Sequence, residues 1–218
     1  MTPPGDTSGS VDTDGERALE RECFRLCERY VTEVVLAFRL CPWAEGVLRG
    51  GTLARHVLLD ARPAPADVLP IIDAWAGQGD STSAGVEVEV GFVILPRHAG
   101  GRGAFDSFAE AIRRADRARR PVGAAAPFVI AVFHPQGLER FTGPHQLVSF
   151  LRRSPDPLLQ LVRSARLDQV KSGPGDVSQQ IAERNHATMT DVEAERFNAI
   201  VRAIHDDRDR AYHRLALG

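Results

Sequence analysis

Apolar residues at Leu19, Cys23, Leu26, Cys27, Tyr30, Val31, Val34, Val35 and Phe38 recur every three or four positions, which predicts an amphipathic helix from Glu16 to Phe38. It must close by Cys41, because Pro42 disfavours helical geometry in the residue before it. The period then shortens. Arg55 to Asp60 reads as a short strand, and a helix after Pro63 and Pro65 carries Val68, Ile71, Ile72 and Trp75 on one face. Gly77 to Gly85 is a polar loop. Val86 to Leu95 begins by alternating Val and Glu and becomes continuously apolar, so one end of this strand is half exposed and the other buried. A helix from Ala104 to about Arg119 presents Phe105, Phe108, Ile112 and Ala115, and the run Phe128 to Phe133 is a buried strand. The long connection 135–157 holds one helical turn around Leu147 to Leu151. Leu158 to Arg163 is a fourth strand, and two helices follow the flexible KSGPGD, Val177 to about Thr188 and Asp191 to about Arg214.

This order of helices and strands predicts an α/β or α+β fold: a mixed sheet of about four strands covered by helices, with ferredoxin-like topology as the alternative. A chain of 218 residues, 43% hydrophobic, supports one substantial core. Residues 16–218 read as a single domain. Met1 to Gly15 hold one Val among Pro, Gly, Ser, Thr and Asp, the composition of a disordered tail.

Charge narrows the partners. With 27 basic and 29 acidic residues the chain has no broad positive field for a phosphate backbone, so nucleic acid is not expected. The basic run from Arg113 to Arg120 closes a helix, where cations suit the helix dipole. No apolar run approaches the ~20 residues that span a bilayer, and no signal segment precedes the first helix, so a cytoplasmic protein without a membrane partner is expected. Three cysteines argue against a disulfide framework. Abundant Ala, Arg, Gly and Val suggest a high-GC bacterial genome.

Three separated segments carry a resemblance. They are Cys41-Pro42-Trp43-Ala44, then FHP at residues 133–135 with RSPDPLLQLVR at 153–163, and Glu183-Arg184-Asn185 with Thr188. In this order they resemble the domain of unknown function 1415 family, over roughly residues 20–190. Two positions depart from its pattern: Arg152 stands where the pattern has Asn, and Gln160 where a His is common. The resemblance implies relatives and candidate positions, and no reaction.

His134 leads the candidate chemistry, because it follows a buried strand and an imidazole can act as acid, base or metal ligand. Cys41 is the second catalytic candidate, although the end of the preceding helix would raise its pKa. Arg153, Ser154 and Arg163 could hold a carboxylate or phosphate; equally, the arginines could pair with Asp156, Glu139 or Glu183 and pin the loop. Gln160, Glu183 and Asn185 complete the substrate-binding candidates. Alternation puts Gln160 and Arg163 on opposite faces of a regular strand, so either the strand ends before Arg163 or Arg163 is an anchor on the far face. Cys23 and Cys27, on the apolar helix face, read as inert core residues. Gly100-Gly101-Arg102-Gly103 resembles a phosphate loop but lacks its Lys-Ser/Thr, so no nucleotide cofactor is expected.

The readings left open are three. One is a small-molecule enzyme centred on His134 with an Arg-lined anion pocket, its sharpest form a redox enzyme using iron or haem with His134 as a metal ligand. Another is a metal-free acid-base enzyme, a lyase, isomerase or hydrolase. The third is a noncatalytic protein that binds a small ligand or haem.

Overall fold

The computed structural model describes residues 13–41, 43–77, 87–171 and 177–217. The expected tail therefore lies outside the described residues up to position 12, while residues 13–15 form the first turn of α1. The polar loop lies outside them over 78–86, as does the KSGPGD segment over 172–176.

Helix α1 (Thr13–Tyr30) continues into a π-helical segment (Val31–Leu36), a widened geometry often found where a helix borders a site. Arg39 ends it in the left-handed region (φ 52°), turning the chain into α2 (Ala44–Gly50). There follow β1 (Leu53–Val57), α3 (Pro65–Gly77), β2 (Val90–Ile94), α4 (Arg102–Ala118), β3 (Phe128–Phe133), α5 (Pro144–Leu151), β4 (Leu158–Arg163), α6 (Ser164–Lys171), α7 (Val177–Thr188) and α8 (Asp191–Leu217). The periodic reading placed β3, β4 and α7 at these bounds. It missed α2 and α6, which are too short to show a period.

The four strands form one mixed sheet in the order β1-β2-β4-β3. β1 and β2 run parallel, and β4 lies antiparallel to both of its neighbours. Strand alternation divides the side chains between two faces. Val93, Ile130, Val132, Leu159 and Leu161 pack with Val68, Ile72 and Trp75 of α3 and Phe105 and Ile112 of α4. On the other face Ile94, Leu158 and Phe133 meet α1, and α1 joins α5 and α8 through Leu26, Val34, Phe150, Phe197 and Ile204. Helices thus cover both faces in three layers, an α/β sandwich. This excludes the ferredoxin-like alternative, in which helices take one face. No helix among the described residues is long and apolar enough to cross a membrane.

Gln160 pairs with Phe92 on one side and Ala131 on the other. Its strand runs regularly through Arg163, which answers the question left by alternation: Arg163 is the anchor on the far face. Its guanidinium donates to the carbonyls of Val88 (2.9 Å) and Trp75 (3.0 Å), pairs with Glu87 (2.9 Å), and lies over the Phe128 ring.

A candidate small-molecule site on the sheet face

The helical layer on the α1 side leaves a cavity of about 460 Å³ against the sheet, within the range of small-molecule sites. Its floor is Leu53, Val90, Phe92, Ala131, Phe133, Gln160 and Val162, drawn from all four strands. Tyr30, Val31 and Val35 wall one side. Cys41, Trp43 and Val47 form the lip, and Leu151, Arg152, Leu167 and Asn185 complete the enclosure.

Most of this lining is apolar, and the few polar groups are of two kinds. Some are already used: the Tyr30 hydroxyl donates to the Leu151 carbonyl at 2.7 Å, and Asn185 Nδ2 donates to the Leu40 carbonyl at 3.3 Å. Arg184 donates to the Arg39 carbonyl at 3.5 Å, so α7 holds the left-handed turn that presents Cys41. The others face open space. Neither the Gln160 amide nor the Arg152 guanidinium has a hydrogen-bond partner among the described residues; Arg152 lies over the Phe133 ring, 5.4 Å from its centroid.

Cys41 is half-buried. Burial pushes its thiol up, and the backbone N–H groups of Trp43 and Ala44 oppose that rise. Burial is thus the largest cause of the rise. Cys27 touches the cavity from beneath, and burial pushes it up to about 12. Cys23 is also pushed up to about 12, chiefly by burial, with its sulfur 3.2 Å from the Tyr212 hydroxyl. A colorimetric thiol reagent is thus expected to react with one thiol per native chain, and Cys41→Ser should remove that signal. Rapid labelling of Cys23 or Cys27 before unfolding would contradict this arrangement.

The remaining sequence candidates do not line the cavity. His134 is 3% exposed and packs against the Phe105 ring, on the α4 side. Its Nδ1 accepts from the Gln136 N–H at 3.1 Å, which leaves the ring hydrogen on Nε2, and burial pushes its pKa below the usual value. It is a neutral imidazole under the opposite helix layer. Phe133 explains the placement: it faces the cavity, so the next residue turns away. Arg153 is buried under α5 and α8, donating to the Phe150 carbonyl at 3.0 Å and to Asn198 and stacking on Phe150 and Phe197. Ser154 Oγ donates to the Asp156 carbonyl at 2.5 Å, and Glu183 is exposed on α7. The pocket expected to be bordered by His134, Arg153 and Arg163 together is not this cavity, whose lining includes none of the three. Cys41, Gln160 and Asn185 do share one cavity. Arg152, which sequence reasoning treated only as a departure, joins them.

The family model described as Protein of unknown function (DUF1415) matches residues 22–199. The chain belongs to this family. No curated protein and no solved structure matches it. Each of the three segments that resemble the family's pattern sends a residue into the cavity: Cys41, Gln160 and Asn185. Both departures from that pattern, Arg152 and Gln160, also face it.

Proposed function

We propose that this member of the family binds a small, largely apolar molecule in the sheet-face cavity. The observation that supports the reading is the convergence of separated segments (residues 41, 43–48, 151–162 and 185) on one cavity whose unused polar groups are few. Neither His134, Asp156 nor Glu183 is among the lining residues, so the acid-base reading lacks a base there. Among the described residues no group of three His, Cys, Asp or Glu side chains could hold a metal ion, so an iron site would need donors from elsewhere. His134 in particular turns away from the cavity. A second reading, in which bound molecules react with Cys41, is supported by its place on the lip beside two backbone N–H donors. The three free cysteines suit a reducing, cytoplasmic setting.

Nile red, a neutral apolar dye, is the direct test. Saturable binding with a blue-shifted emission is expected, and Ala131→Trp should abolish it by filling the floor. Occupancy should also slow thiol labelling of Cys41. Unaltered dye binding by the Ala131→Trp variant, or no saturable binding by the native protein, would remove the cavity as the site.

A further inference from the structure

Among the described residues Arg152 differs from Arg153, Arg163, Arg113 and Arg208, each of which has oxygen acceptors. Arg153 has a carbonyl and an amide oxygen, Arg163 two carbonyls and Glu87, Arg113 the Ile130 carbonyl and Glu110, and Arg208 the Asp156 carboxylate. Among the described residues Arg152 has no oxygen acceptor and lies over the face of Phe133, and it borders a cavity whose floor also presents the Gln160 amide, likewise without a partner among them. A guanidinium carries five donors in a planar fork that matches a carboxylate, and burying it without acceptors is costly. Burial pushes Arg152 below the usual arginine value, and the positive charges of Arg102 and Arg113 push the same way. No carboxylate of the described chain offsets them at this position.

Resting on the cavity as the ligand site, we infer that its ligand is a monoanionic amphiphile, a carboxylate on an apolar chain or ring, with Arg152 gripping the carboxylate and Gln160 donating a further hydrogen bond. The shape of the site assigns the two halves of such a molecule. Its apolar body lies on Val90, Phe92, Ala131 and Val162, while its head reaches the end of the cavity where Phe133 and Arg152 stack. The Phe133 ring lies under the guanidinium, 5.4 Å from its centroid, a cation–π contact that an arriving anion need not displace. A neutral ligand of the same shape would leave Arg152 as it is now, half-buried and without an acceptor among the described residues.

The test compares octanoate with octanol as competitors of Nile red at neutral pH. Octanoate is expected to displace the dye at roughly tenfold lower concentration or better, the range of a hydrogen bond to a charged group. Arg152→Gln should erase that preference, and Arg152→Lys should restore part of it. Equal potency of the two competitors on the native protein overturns the inference without requiring any variant to fold, and leaves the cavity reading intact. A preference for octanoate that survives in Arg152→Gln overturns it as well, since another group would then be the anion's partner. Failure of Nile red itself to bind removes both conclusions.

Discussion

Replacing Asp156 with Ala is expected to destabilise the protein by about 3 kcal/mol, the lower end of the cost of breaking a buried ion pair by removing one partner. The Asp156 side chain is 2% exposed and accepts from Arg208 Nε at 2.7 Å and from the Tyr212 hydroxyl at 2.6 Å. Cys23 touches the same hydroxyl, so this one carboxylate joins the segment before β4 to both α8 and α1. Without it the Tyr212 phenol loses its acceptor, and Arg208 is left with Asp209 at 2.9 Å. Arg208 is 23% exposed on its side chain and can turn partly to water, which is why the larger values are not expected. Asp156→Asn should cost less, because an amide oxygen still accepts from Tyr212. Urea midpoints at constant m-value measure both. A shift within about 0.5 kcal/mol for Asp156→Ala, the size of an ordinary surface change, would mean that the cluster does not hold these layers together.

The second large effect is expected at Gly91. It lies on the α3 side of β2, in register with Ala54 of β1 and Leu161 of β4, and a Cβ there would run into the indole of Trp75. Trp75 is buried among α3, α4 and the sheet, and β2 is fixed by a neighbour on each side. Neither partner can give easily, so Gly91→Ala should cost about 3 kcal/mol, the upper end for overpacking. The cause is separable from any effect on strand propensity. In a Trp75→Leu background the added methyl finds space, and the two changes should couple by about 1–2 kcal/mol in a double-mutant cycle. Strict additivity would show that the indole is not what excludes a side chain at this position.

Much of the architecture was legible because long periodic segments announce themselves. The spacing from Leu19 to Phe38 marked the first helix, the apolar run at 128–133 marked the edge strand β3, and LLQLVR at 158–163, apolar but for Gln160 and Arg163, marked the central strand β4. Alternation even placed Gln160 and Arg163 on opposite faces. The same rule, applied one step further, separates His134 from the cavity, since Phe133 already occupies that face. What no pattern revealed is which of two adjacent arginines turns inward to the site. Arg153 has acceptors waiting in Phe150 and Asn198, the latter 45 residues further along the chain, and contacts at that separation leave no trace in local spacing. The lip helix α2 escaped for a different reason: its seven residues AEGVLRG include two glycines and a single buried side chain, Val47.

Chain order and spatial order disagree in one respect that governs how this molecule comes into being. The last strand to be synthesised, β4, lies between β2 and β3 and is the sole bridge joining them. A nascent chain halted after Phe133 holds a parallel β1-β2 pair and an isolated β3, with nothing to zip them together. The sheet, and with it the floor that a ligand would rest on, closes in a single late event whose pairings span long stretches of sequence. Such closure is slow to nucleate and leaves strand edges uncovered until residue 163 has left the ribosome.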